Sequence, residues 1–246
     1  MTWWVHEAFQ TGGPVLVFSW VFWVIASITL HELAHGWVAI RQGDDTPRRL
    51  GHMTLNPVVH MGWTSLFFFA LAGFAWGLMP TDPSRYRNRR LGRVLVAAAG
   101  PMMNLLLSVL SLSGMSVWLW AITTHRIEPA EHTARNVLEF LYMGGFLNIV
   151  LCAFNLLPVP PLDGSAILGG VSRRLDEFFS RPGVRMYGML VVLLVFFQVL
   201  DRPLQQFAQT FSSRLSTAVY KMLPGETDAP GVGLPAPAGA TTGPAQ

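Results

Sequence analysis

The sequence predicts an all-α polytopic membrane protein, and three observations carry that prediction. Only 13% of the 246 residues are charged, against about 25% in soluble domains, so the chain lacks the polar surface to coat itself in water. Hydrophobic residues make up 51%, with nine tryptophans and sixteen phenylalanines. Several apolar runs also reach the roughly 20 residues that span a bilayer, and the stretch from Val15 to Leu30 holds no formal charge. The lipid bilayer is therefore the expected partner, and a net charge of +3 gives no sign of nucleic acid. Cys152 stands alone in an apolar run, which excludes a disulfide framework. The first ten residues contain no Lys or Arg, so the basic segment that opens a secretory signal is not expected.

The elements follow in chain order. Val15–Ile40 reads as the first membrane helix. The polar stretch RQGDDTPRRLGHMTLN, Arg41 to Asn56, alternates in its second half well enough for a short strand or β-hairpin. Val58 to Met79 is apolar but studded with Gly62, Gly73 and Gly77, and PTDPSRYRNRRLGR from Pro80 to Arg93 is a basic loop. Val94–Ile122 is a long helix carrying AAAGPMMN, and Val137–Leu157 is another span. PVPPLDGSAILGG opens a connector that is amphipathic from Ser165 to Phe179, and Met186–Leu200 is a short last span. Leu204–Leu223 is too polar for insertion and reads as interfacial. Residues 1–223 thus form one membrane-embedded domain, and the Pro/Gly/Ala-rich residues 224–246 a disordered tail.

One stretch conflicts with its surroundings. SITLHELAHGWVAI places His31, Glu32 and His35 inside the first helix, where unpartnered ionisable groups cost at least a few kcal/mol. Residues four apart on a helix lie about 40° apart around its axis, so His31 and His35 can offer both imidazoles to one ion. Glu32 stands beside that face and reaches a metal-bound water rather than the metal. This is the HExxH arrangement of zinc hydrolases, two ligands and a general base. A catalytic zinc takes three protein ligands and keeps one position open. Glu139 begins the fourth span and is placed to snorkel; His60 lies at the mouth of the Val58 segment. Asp163 in NLLPVPPLDG is the best candidate, because it follows a span directly and Pro158, Pro160 and Pro161 rule out a regular helix before it. An Asp-Gly turn or a helix N-cap is its alternative role.

HELAH, then a mid-chain AGPMMN, then NLLPVPPLDG, in that order, resemble the site-2 proteases, the intramembrane zinc metalloproteases. RRLGHMTLNPVVH also resembles the segment that follows HExxH in the short bacterial branch of that family. The likeness extends over about Val15 to Leu200. It implies a site-2 protease-like helix core holding one Zn2+ per chain, with His31, His35 and Asp163 as ligands and Glu32 activating water. It implies further that Asn155 lies near the scissile carbonyl, where its amide can stabilise an oxyanion; a helix-packing contact is the alternative. Asn104 matches a family position but reads as a packing residue. Transmembrane proteins are the implied substrates. Two departures stand out: HMGW follows His60 where relatives carry Asp-Pro, and MPTDPSRYRNRR replaces a loop usually rich in Pro and Val.

The zinc reading imposes a topology. His31 and His35 lie about 8 to 14 Å short of the end of the first helix at 1.5 Å per residue, and Asp163 lies just past the end of the span at Leu157. To meet, both helices must run the same way, so Val58–Met79 must enter and leave on one side or cross twice, with Gly73 near the turning point. Charge supports this independently. A re-entrant segment puts twelve of the seventeen basic residues on one face, whereas a single crossing divides them nine against eight. The positive-inside rule then turns the active site toward the cytoplasm of a multi-pass cell-membrane protein. The alternating Gly51–Asn56 could hold an unwound substrate as an added strand. Two other classes compete. A metal transporter needs polar groups along a path through the bilayer, but these ionisable residues cluster at one depth. An inactive scaffold is disfavoured by the intact HELAH and Asp163.

Overall fold

A computed structural model describes residues 4–195 together with Thr210, Arg214 and Thr217. The described residues are helical with no strand. In chain order they form α1 (Trp4–Arg41), α2 (Thr46–Arg49), α3 (Pro57–Ala72), α4 (Arg89–Thr123), α5 (Glu131–Asn155), α6 (Asp163–Val171), α7 (Arg173–Phe179) and α8 (Pro182–Val195). Among the described residues, three stretches are long and apolar enough to cross a membrane: Gly13–Arg41, Arg89–Thr123 and Glu131–Asn155. The last predicted span continues beyond Val195, and the interfacial segment and tail lie outside the described residues apart from the three named above.

Local chemistry sets the boundaries. The backbone of Gly13 leaves the helical region at φ 69°, so Pro14 opens the membrane part of α1, where its missing N–H is not needed. Asn56 accepts from the Val58 N–H at 3.0 Å ahead of Pro57, which caps α3. Asn88 does the same for α4 by accepting from Arg90 and Leu91. The end of α1 is tied to the start of α4 by the Arg87 N–H, which donates to Gln42 O at 2.7 Å. These two helices therefore run antiparallel. A short turn at 124–130 reverses the chain again into α5, which runs in the same direction as α1. Gly144 and Gly145 let α5 approach both neighbours, since a Cβ on Gly144 would fall within the Trp23 ring and one on Gly145 within Leu112. Trp23, Ile28, Met61, Phe69 and Leu147 form the core where α1, α3 and α5 meet. Phe18, Trp63, Phe67, Leu106 and Leu110 point outward, as suits a lipid-facing surface.

The expected hairpin between Arg41 and Asn56 is a correction. Its first part is the one-turn helix α2, and the Gly51 and His52 N–H groups turn back onto Arg48 O and Pro47 O instead of pairing with another strand. Gly51 sits at φ 72°, which breaks the extended run that alternation predicted. The re-entrant segment, by contrast, is present. Helix α3 ends at Gly73 in the left-handed conformation at φ 73°, a C-cap that reverses the chain. The backbone then returns without helix along α3. The Ser65 hydroxyl donates to Trp76 O at 2.7 Å and accepts from Trp76 N at 2.8 Å, and Leu78 N donates to His60 O at 2.9 Å. Ser65 is fully buried, and its two bonds satisfy backbone groups that lipid could not. Ser65→Ala should cost about 1–3 kcal/mol, the value of a buried polar pair left unmet. Reversible unfolding in bicelles would measure it.

Candidate metal centre

Helix α1 presents His31 and His35 on its buried face, one turn apart, with Nε2 atoms separated by 3.0 Å. Asp163, the first residue of α6, brings Oδ2 to 3.2 Å from His31 Nε2 and 3.4 Å from His35 Nε2. The prolines ahead of it end α5 and turn the chain back over the α1 histidines, through a cis Pro160–Pro161 bond. The parallel course of α1 and α5 is what lets the carboxylate reach this depth.

Whether these atoms suit a cation can be judged from their partners. The Nδ1–H of His35 donates to Val96 O at 2.6 Å, and a carbonyl can only accept. That leaves a lone pair on His35 Nε2. His31 Nδ1 is likewise engaged, at 2.5 Å from Asn104 Oδ1. Asp163 Oδ2 is buried and makes no hydrogen bond, facing only the two Nε2 atoms. With both rings neutral, as metal ligation requires, two imidazole lone pairs and a carboxylate oxygen converge, an arrangement that a cation between them would relieve. The donors fit a zinc-type N,N,O set with an open position. Gly100 completes the cradle: a Cβ there would lie within the His31 imidazole and 2.5 Å from His35 Nε2. Among the described residues this is the one group of His, Cys, Asp and Glu side chains clustered tightly enough to hold an ion.

Glu32 is buried beside the cluster. Gly77 of the returning segment packs onto it, so closely that a Cβ would meet Oε1 at 2.5 Å. A cavity of about 550 Å³ opens over the group, lined by Glu32, Asn155, Asp163, Trp76, Tyr86 and Arg93 among others. Asn155 lines it while donating from Nδ2 to Leu151 O at 3.0 Å, so one N–H of its amide is left over. His60 stands apart from the cluster, with Nε2 donating to Thr54 O at 2.7 Å. Glu139 lies on α5, half-buried and likewise outside it.

The histidines' partners were not foreseen from sequence. Asn104 reads there as a packing residue, yet it contacts His31 directly and passes a bond to Asn148. Besides the match to a family position, the signal was an amide in the middle of an apolar run, and a buried intramembrane polar group is by default a functional one.

The fold and the cluster define a class: a helical membrane protein whose His31, His35 and Asp163 lie close enough together to hold a metal ion. More particularly, the chain belongs to Peptidase family M50, whose sequence model matches it over residues 19–124 and 119–200. It is 35% identical over 191 residues to the Bacillus subtilis protein named "Putative zinc metalloprotease YwhC", covering 74% of this chain and 80% of that one. Two proteins named "Putative zinc metalloprotease Rip2" are also similar. The Mycolicibacterium smegmatis protein is 31% identical over 181 residues, covering 70% of this chain and 63% of its own length. The Mycobacterium tuberculosis H37Rv protein is 30% identical over 205 residues, covering 80% and 73%. No solved structure matches the chain.

Proposed function

We propose that this protein is an intramembrane zinc metalloprotease that cuts peptide bonds in or near transmembrane segments of membrane-protein substrates. The observation that carries the reading is the convergence of His31, His35 and Asp163 within a membrane helix bundle, beside a buried Glu32. His31, His35 and Asp163 hold one zinc per chain. When bound, zinc polarises the scissile carbonyl and makes water acidic enough to attack at neutral pH. Glu32 takes the proton from the attacking water and delivers it to the leaving amine. Asn155 directs its spare N–H at the carbonyl oxygen as negative charge develops there. A substrate helix must unwind locally before its carbonyl can be reached, and the cavity gives the unwound stretch a water-accessible lodging. The basic residues around Arg41, Arg48 and Arg49 and from Arg85 to Arg93 lie at the site's end of the bundle, which orients the site toward the cytoplasmic face of the cell membrane.

Metal removal tests this. Protein in lipid nanodiscs should hold zinc at one equivalent, lose cleavage of a transmembrane peptide when a chelator strips the metal, and regain it on adding zinc back. Undiminished cleavage by the stripped protein would overturn the proposal.

A further inference from the structure

His31 and His35 are held differently. The second partner of His35 is a backbone carbonyl, which no substitution removes. The second partner of His31 is a side chain in a row of two amides that spans three helices. His31 Nδ1 lies 2.5 Å from Asn104 Oδ1 on α4. Asn104 Nδ2 donates to Asn148 Oδ1 on α5 at 2.9 Å. Asn148 Nδ2 donates to Gly144 O at 2.9 Å. Asn104 and Asn148 are both fully buried.

The row has a direction, and its far end sets it. Gly144 O has no hydrogen to give, so Asn148 must turn its NH2 toward it. Asn148 then offers an oxygen to Asn104, which must answer with its own NH2. The remaining atom of Asn104, an oxygen, faces His31. His31 therefore carries its proton on Nδ1 and keeps a lone pair on Nε2, the atom nearest Asp163. Flipping either amide would set two donors or two acceptors face to face between fully buried side chains.

We infer that Asn104 and Asn148 are positioning residues: an amide relay anchored on the α5 backbone selects the tautomer and ring orientation with which His31 receives the metal. This rests on the zinc reading above. Partners that hold the far nitrogen of a ligating histidine are worth about 10–100-fold in metal affinity. Asn104→Leu keeps the branched shape but gives His31 no acceptor, whereas Asn104→Asp keeps that acceptor and loses the donor to Asn148.

The test is zinc affinity, measured by chelator competition on the full-length protein in nanodiscs, with unfolding temperature followed alongside. Asn104→Leu should bind zinc about 10–100-fold more weakly, Asn104→Asp more tightly than Asn104→Leu but below wild type because it sets an acceptor against Asn148 Oδ1, and Asn148→Leu should show a smaller loss than Asn104→Leu, of the same sign. If Asn104→Leu does not fold, Asn148→Leu carries the test, since it withdraws only the acceptor that orients Asn104. A packing role predicts otherwise: Leu variants that hold zinc like wild type, or an Asp variant that binds more weakly than Leu, would overturn the relay. Failure of the wild type to bind zinc at all would overturn the underlying zinc assignment instead, so the two failures are distinguishable.

Discussion

Glu32→Gln should bind zinc as tightly as the wild type while peptide cleavage falls by about 10²–10⁴-fold, the contribution of a well-placed general base. The substitution changes one oxygen for an amide nitrogen, so shape and packing against Gly77 are kept. What disappears is the capacity to take a proton. Glu32 is not part of the ligand cluster, which is why binding and turnover should separate. Zinc analysis and single-turnover cleavage on the same preparation would check it. A mutant that still cleaves at the wild-type rate would remove Glu32 from the mechanism, and one that also loses zinc would make it a ligand.

Gly100→Ala should be as damaging by a different route, abolishing cleavage and weakening zinc binding by at least the roughly 100-fold upper range seen when only a ligand's outer partner is lost. A Cβ at this position would occupy the space of the His31 ring and come within 2.5 Å of His35 Nε2. Neither imidazole can step aside cheaply. His35 is held by Val96 O and His31 by Asn104, so any retreat breaks one of those bonds as well as the alignment with Asp163. Zinc titration shows the loss directly, and circular dichroism should show the helices intact. Near-normal zinc affinity in this variant would mean that the closeness of Gly100 to the imidazoles is incidental.

Sequence and structure agree where a signal is local or follows from connectivity. The apolar lengths of α1, α4 and α5 were legible because each exceeds a bilayer thickness without interruption. His31, Glu32 and His35 were legible because one helical turn puts them together, and Asp163 because the prolines before it leave few other ways to use a carboxylate there. The re-entrant course of Val58–Met79 followed from requiring that the carboxylate meet the histidines, and Gly73 is where the chain turns. What sequence reasoning missed depends on register between helices far apart in the chain. Nothing near Asn104 or Asn148 reveals that the two amides meet, and Asn104 alone reads as packing. The alternation of Gly51–Asn56 misled for a related reason: a polar loop can alternate by chance, and Gly51 in the left-handed region overrides it. The extended backbone lies instead after Gly73, where Phe74, Ala75 and Trp76 give no alternation to read.

The order in which the proposed ligands leave the ribosome has a consequence for the cell. Both imidazoles are made early, on α1, while the carboxylate that completes their grip is made only after α4 and α5 have been threaded. An unfinished or truncated product therefore carries half a site and no cutting power. Hydrolytic competence arrives late in biosynthesis, when the surrounding bundle is already in place to decide what may approach.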